Sequence, residues 1–185
     1  MTVNKKDHPQ KALSKEWIVT ALMEIMRKKP YKQINVTELS RRAGLARRTF
    51  YRHFKTIDDV LNYSMEKMCD EYVRYIEKRE TVKPFLKRNL VNGVLMHFTF
   101  WEKHKDYLNL LKENDLLLIL LQNFLLRFIK KMTKSASTNE NEYITYFLIG
   151  GQWNLLIKWM EDGATLTPQE MARMAGRINE IFGKC

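Results

Sequence analysis

A short segment near the N-terminus combines three arginines with hydroxyl, phenol and imidazole side chains. It reads RRTFYRHFK over residues 47–55. Guanidinium groups form bidentate hydrogen bonds with phosphate oxygens and guanine edges, and the other polar side chains donate to phosphate. The segment therefore predicts contact with a nucleic acid. The candidate contact residues are Arg47, Arg48, Thr49, Tyr51, Arg52, His53 and Lys55.

Simpler structural roles stay open for the same side chains. The arginines can form a solvated face, Tyr51 can pack inside its own module, and His53 can cap a helix or pack. Three lysines near the N-terminus either form an arm that reaches DNA or belong to a tail without contacts. These lysines are Lys5, Lys6 and Lys11.

Positive charge is concentrated in the first third of the chain. Residues 1–63 contain 14 Lys or Arg and 6 Asp or Glu, whereas residues 64–185 contain 18 and 15. Most of the formal net charge of +11 therefore lies in residues 1–63. This asymmetry favours a polyanionic partner that docks on the N-terminal part. A charged surface that serves solubility is the alternative.

Composition and motifs argue against several function classes. Cys69 and Cys185 lie far apart in the chain, which predicts neither a disulfide framework nor a metal cluster and suits a reducing cytoplasm. The first 15 residues lack the apolar core of a signal peptide, and the apolar run 116–121 is too short to span a membrane. No GxSxG, HExxH, P-loop or dinucleotide fingerprint is present. We therefore expect a cytoplasmic protein with no enzymatic activity, no cofactor and no membrane partner.

Apolar spacing predicts an all-α chain of about nine helices. A flexible basic tail over residues 1–10 precedes a helix that Ser14 caps, that carries Trp17 on its apolar face and that ends before Pro30. Later helices start near Thr81 and Pro84, and again after a loop at residues 134–141. The last helix opens with a capping box at residues 167–170.

Two short helices joined by a tight turn occupy residues 34–53. Asn35 and Glu38 form a capping box that opens the first, and Gly44 supplies the left-handed conformation just past its end. The basic segment forms the second helix. A helix fits the major groove, where base edges present distinct donors and acceptors, while the preceding helix crosses the backbone. The pattern predicts a helix-turn-helix, although other helical hairpins share it.

The stretch INVTELSRRAGLARRTFYRHFKTIDDVL resembles the N-terminal module of TetR-type transcriptional regulators. The most distinctive match is TFYRHF at residues 49–54, and the resemblance covers roughly residues 11–63. It implies a DNA-binding domain over residues 11–63 and a helical ligand-binding and dimerisation domain over residues 64–185. It further implies a homodimer that binds double-stranded operator DNA and responds to a small-molecule effector.

The resemblance also implies residue roles within the first domain. Tyr51 and His53 resemble positions that grip phosphates, whereas Thr49 and Arg47 resemble positions near base edges or the adjacent backbone. Thr37, at the start of the first helix of the pair, resembles a further backbone contact, and the two phenylalanines at positions 50 and 54 resemble core anchors.

Two departures from the family pattern concern DNA contacts. Ile57 stands where the family usually has a phosphate-gripping lysine, and Arg48 stands where it often has a small residue. The loss of one cation and the gain of another indicate a shifted phosphate or base contact.

The last two helices are candidates for a dimer interface. A Gly-Gly pair inside a helix costs about 1 kcal/mol per residue relative to Ala, which makes sense if another backbone approaches closely. Two helices from each protomer then form a four-helix interface, and the alternative is that both helices belong to the monomer core. The candidate interface residues are Tyr146, Phe147, Gly150, Gly151, Trp153, Asn154, Met171, Met174 and Ile178.

Aromatic residues in the middle of the chain are candidates for an effector site. Aromatic and Met side chains suit an apolar or cationic aromatic ligand, and they suit an ordinary core equally well. Although three of the residues share a helix face, they lack the carboxylate or Cys that would complete a metal site. The candidates are His97, Phe100, Trp101, His104, Tyr107, Leu121, Phe124 and Phe128.

These observations predict a DNA-binding transcriptional regulator. The resemblance makes a repressor, released from a palindromic operator by a small-molecule or protein effector, the expected type. The alternative is a protein of the same fold that works by protein interaction, or an activator that depends on a coactivator.

Overall fold

The computed structural model of the chain describes residues 9–78, 90–133 and 139–182, and these ranges contain helices and no strand. Nine α-helices within them confirm the predicted all-α fold. A short 3-10 turn at Tyr31–Gln33 lies between the first two. The helices are α1 (Pro9–Met26), α2 (Val36–Arg42), α3 (Arg47–His53), α4 (Ile57–Glu77), α5 (Leu90–Lys103), α6 (Lys105–Glu113), α7 (Leu117–Thr133), α8 (Asn139–Glu161) and α9 (Pro168–Phe182).

The chain divides into two compact units, residues 1–67 and residues 68–185. The core of the first unit is built from aliphatic and aromatic side chains of α1 to α4. Each such side chain contributes about 1.5–3 kcal/mol when it is fully buried. The fully buried members are Ile18, Leu22, Leu39, Phe50, Val60 and Met65.

Helix α1 begins earlier than the sequence predicted. It starts at Pro9, a residue favoured at the first helical position, so the prediction that Ser14 caps the helix was wrong. Ser14 is buried inside the helix. Trp17 is 51% exposed and does not belong to the buried stripe that contains Ile18 and Leu22. Of the predicted tail, residues 1–8 lie outside the described ranges and the last two residues belong to α1.

The two ends of α2 carry the predicted signals, although the capping box at its start is only half formed. The Asn35 side-chain oxygen accepts a hydrogen bond from the Glu38 backbone N–H at 3.0 Å, while the Glu38 carboxylate pairs with Lys29 instead of completing the box. Gly44 has φ +67°, as predicted for the residue that ends the helix. The Leu45 N–H then donates to the Ser40 carbonyl at 2.9 Å, and this closes the turn.

Removing the α2 cap should weaken the first unit. We expect Asn35→Ala to lower the free energy of unfolding by about 1 kcal/mol, because the Glu38 N–H is left without its acceptor. Urea unfolding followed by circular dichroism measures this change. Asn35→Ser restores an acceptor and should recover most of the loss. Equal denaturation midpoints for Asn35→Ala and the unaltered chain would contradict the capping role.

The second unit consists of packed helix pairs. Helix α5 packs along α9, α7 packs along α8, and α6 contacts both α5 and α7. Gly163, with φ +80°, follows the end of α8. The predicted capping box of α9 is present, since Thr167 Oγ1 accepts from the Glu170 N–H at 3.3 Å and the Glu170 carboxylate accepts from the Thr167 N–H at 2.8 Å.

Two predicted helix boundaries in the second unit fall on or beside residues that the structure does not describe. The helix start predicted near Thr81 and Pro84 lies outside the described residues. Helix α8 begins at Asn139, inside the loop predicted at residues 134–141, and residues 134–138 of that loop are not described. Among the described helices, none is long and apolar enough to cross a membrane.

Candidate nucleic-acid interface

Helix α3 is held by two aromatic side chains. Phe50 is fully buried, and Phe54 is also buried at the residue that follows the helix. The Phe50 ring lies 6.1 Å from the Phe54 ring and meets the Tyr51 ring edge-on at 5.4 Å. Since Phe50 and Phe54 anchor the helix in the core, the remaining side chains of α3 are not needed for packing and can face solvent.

The outward face of α3 carries positive charge without compensation. Arg47, Arg48, Tyr51 and Arg52 are exposed, and α3 contains no carboxylate. Within the described residues, none of the three arginines takes part in an ion pair. Cations on the neighbouring helices behave differently, since Arg42 pairs with Glu24 and Lys67 pairs with Glu16. Positive charge left unpaired on one short helix is available to a polyanion.

The other predicted contact residues surround this face. Thr49 and His53 are half-buried on α3, and the His53 ring lies 6.5 Å from the Phe54 ring. Thr37 is exposed in the first turn of α2, which packs against α3. Lys55 is exposed just after α3.

A capping box, formed by Thr56 and Asp59, holds the segment between α3 and α4. The Asp59 carboxylate accepts hydrogen bonds from the Thr56 and Lys55 N–H groups, each at 2.9 Å, and these bonds lower the pKa of Asp59. Thr56 Oγ1 in turn accepts from the Asp59 N–H at 3.1 Å. Ile57 is half-buried at the start of α4, so this position offers no charge to a phosphate.

A closed aromatic cluster occupies the second unit. At its centre the Tyr72 hydroxyl and His97 Nδ1 are 2.8 Å apart, and the Tyr72 ring stacks on Trp101 at 6.0 Å. Phe124 lies 4.7 Å from Trp153, which in turn lies 5.1 Å from His97. All five side chains are buried.

Burial controls the protonation of the polar groups in this aromatic cluster. It lowers the pKa of His97 to about 3, so the imidazole is neutral, and it raises the pKa of Tyr72. His97 Nε2 and Trp101 Nε1 are buried and have no hydrogen-bond partner among the described residues. If Tyr72 donates to Nδ1, Nε2 carries the remaining proton, and the cluster then holds two buried donors without an acceptor.

The structure brings together most of the predicted effector-site residues. Phe100 and Phe128 complete the aromatic cluster, with rings 5.0 and 5.7 Å from Tyr72. His104 lies at its edge, 4.3 Å from Phe100 between ring centroids and 3.4 Å from the Glu71 carboxylate. The last two candidates, Tyr107 and Leu121, are half-buried on α6 and α7.

Sequence reasoning missed two members of the aromatic cluster. The apolar spacing of α4 identifies Tyr72 only as part of a helix stripe, and the predicted dimer interface includes Trp153. The signal that could have found Tyr72 was its phenol, because a buried tyrosine hydroxyl usually has a hydrogen-bond partner.

The predicted interface residues divide into exposed and buried groups. Phe147 is 79% exposed, and Tyr146, Gly151, Asn154 and Met174 are also exposed. A Cβ added at either Gly150 or Gly151 would meet no atom within 4 Å. The interface role predicted for Trp153 and Met171 does not fit their positions, because both are buried within the unit, Trp153 against Phe124 and His97. The side chain of Ile178 is not described.

Comparison with known families matches both parts of the chain. Residues 18–63 match the model described as bacterial regulatory proteins of the tetR family. Residues 88–180 match a model described as a transcriptional regulator C-terminal region. No curated protein is similar enough to the chain to count as a match.

A solved structure shares the fold. The fatty acid degradation regulator FadR from Bacillus halodurans matches with a TM-score of 0.55 and 14% sequence identity. The match covers 94% of this chain and 96% of FadR. At this identity the likeness concerns the fold alone.

Proposed function

This chain belongs to the TetR family of bacterial transcriptional regulators, and from that premise we propose a sequence-specific repressor that an effector releases from a palindromic operator. Residues 11–63 form its DNA-binding domain, and residues 64–185 form its effector-binding and dimerisation domain. It acts in the cytoplasm and carries out no enzymatic reaction.

One observation carries the DNA-binding part of the proposal. The three arginines of α3 are exposed and have no ion-pair partner among the described residues. Arginine without a carboxylate partner is suited to phosphate oxygens and base edges. Thr37, Thr49, Tyr51, His53 and Lys55 add polar contacts around the same helix.

The partner protomer is proposed to dock on α8 and α9. Exposed side chains of α8 lie on the face that also carries the two glycines, and α9 exposes Met174. The open space at Gly150 and Gly151 supports close approach of a second backbone. A two-fold dimer would place two α3 helices in successive major grooves of a palindrome.

A single substitution separates the dimer role from folding. Gly151→Leu adds a side chain where the subunit has space, and it improves helix propensity by up to about 1 kcal/mol. We therefore expect a folded protein that shifts from dimer to monomer at micromolar concentration. Sedimentation velocity measures the shift.

Asn62→Leu, at an exposed position on α4, serves as the matched control and should remain dimeric. A fully dimeric Gly151→Leu variant would contradict the assignment of this face.

The aromatic cluster is the proposed effector site. Trp101 Nε1–H is a buried donor without an acceptor, and His97 Nε2 is a second one when Tyr72 donates to Nδ1; such donors support a ligand that carries acceptor oxygens on an apolar body. The sequence left a cationic ligand open. The cluster argues against it, because His97 is neutral and no buried carboxylate of the described residues lies beside it to balance a positive charge. Since the rings are closed over one another, binding must open the cluster, and differential affinity for the opened state would release the operator.

A protein effector is a second candidate, favoured by the exposed surface of α7. Leu118 and Leu126 are both largely exposed at positions two helical turns apart. An activator that depends on a coactivator, or a protein of this fold that acts by protein interaction alone, would use such a surface.

Fluorescence anisotropy tests the proposed function directly. The labelled probe is the DNA upstream of the protein's own gene, the competitor is a scrambled duplex, and both are titrated at two salt concentrations. We expect preferential binding that weakens steeply with salt. Failure to bind either duplex at low salt would overturn the proposal and favour the interaction protein.

A further inference from the structure

We propose that Arg48 determines operator specificity by reading one guanine in each half of the palindrome. This inference rests on the proposed function, and it assigns to one side chain the task of base recognition. It concerns a residue of α3 that departs from the family pattern.

The position of Arg48 on the helix supports this assignment. The buried face of α3 consists of Phe50, which is fully buried, and of the half-buried Thr49 and His53. Successive residues of an α-helix are rotated by about 100°, so Arg48 and Arg52, two residues before and after Phe50, each lie about 160° from it. Tyr51 lies about 100° away and Arg47 about 60° away. Thr49 and His53 lie on the side of Phe50 that Arg52 borders, so Arg48 is the arginine that projects farthest from the packed face.

Arg48 and Arg52 also differ in their place along α3. Arg48 is the second residue of the helix, whereas Arg52 is the last but one. Recognition helices contact base edges with their N-terminal residues. Arg48 is thus directed to the floor of the groove. Arg47, which lies closer to the packed face, is suited to the phosphates that line the groove.

The chemistry of Arg48 selects the base. Its guanidinium presents a planar fork of donors, and guanine offers the matching pair of acceptors, O6 and N7, in the major groove. Because Arg48 has no ion-pair partner among the described residues, this contact requires no existing interaction to be broken.

Selection from randomised duplexes with the full chain identifies the preferred operator first. Each guanine of one half-site is then replaced in turn by 7-deazaguanine, which keeps base pairing and removes only the N7 acceptor. For the unaltered protein, we expect one of these replacements to weaken binding about ten- to a hundred-fold. Arg48→Ala should bind the modified and unmodified duplexes equally.

Arg52→Ala is the matched control, since it removes another exposed arginine of the same helix and should keep the sensitivity to 7-deazaguanine. If no replacement weakens binding, or if Arg48→Ala keeps the full sensitivity, the assignment of Arg48 is overturned while operator binding stands. If the unaltered protein enriches no sequence at all, the proposed function itself fails.

Discussion

Simultaneous replacement of Arg47, Arg48 and Arg52 by alanine should weaken operator binding by about a thousand-fold or more, because six guanidinium groups of the dimer no longer meet the DNA. The slope of log affinity against log salt should also flatten by about 0.9 for each phosphate that the protein no longer neutralises. Anisotropy titrations between 50 and 200 mM salt (about the range in which such slopes are resolved) measure both effects.

The design of this experiment separates specific contacts from loss of charge. Replacing Arg27, Lys28 and Lys32 by alanine removes the same charge from exposed positions outside α3. This control variant should lose less than about tenfold in affinity, because charges outside the interface attract DNA only over long distances, where salt screens them. The α3 variant should unfold near the midpoint of the unaltered chain, because exposed side chains without partners contribute little to stability. Equal losses of affinity in the two triple variants would contradict the assignment of the DNA interface to α3.

Acidification should destabilise the second unit through His97. The folded-state pKa of His97 is about 3, below the ordinary value of about 6.5, because the side chain is completely buried. Between these values the unfolded state binds more protons, so stability is complete above about pH 6.5 and is lost as the pH falls. The contribution of this one group reaches about 1.4 kcal/mol per pH unit near pH 5.

Two variants isolate this contribution. His97→Gln removes the titrating group, so its free energy of unfolding should fall less steeply between pH 6.5 and pH 4.5 than that of the unaltered chain. Tyr72→Phe removes the hydrogen bond at 2.8 Å and leaves His97 buried, so it should retain the steep dependence. Urea unfolding monitored by tryptophan fluorescence provides the comparison. Parallel pH profiles for His97→Gln and the unaltered chain would show that His97 does not titrate as inferred.

Local signals allowed much of the fold to be predicted. Capping boxes and the glycine of the turn act over three or four residues, and the sequence contains all the atoms involved. The prediction therefore succeeded at Gly44 and Thr167, and at Asn35 it succeeded for the N-cap but not for the Glu38 half of the capping box. It failed at Ser14, because a residue with good capping chemistry was overridden by a helix that extends back to Pro9.

The sites were harder to predict because burial depends on other helices. Trp153 and Phe147 lie on the same helix and both suit an interface, yet one is buried in the aromatic cluster and the other is 79% exposed. Apolar periodicity could not tell which of the two is buried in the monomer. It shows which residues share a helix face, but not what that face packs against. For the same reason the link between Tyr72 and His97, separated by 25 positions in the chain, was not foreseen.

The four tryptophans give the two units separate optical reporters. Trp17 is half-exposed in the first unit, whereas Trp101, Trp153 and Trp159 are buried in the second. A collisional quencher such as iodide reaches the indole of Trp17 and is kept from the other three, whose emission lies to the blue. Trp17→Phe therefore yields a protein whose tryptophan fluorescence comes from the second unit alone, so that opening of its aromatic cluster becomes visible without any attached label.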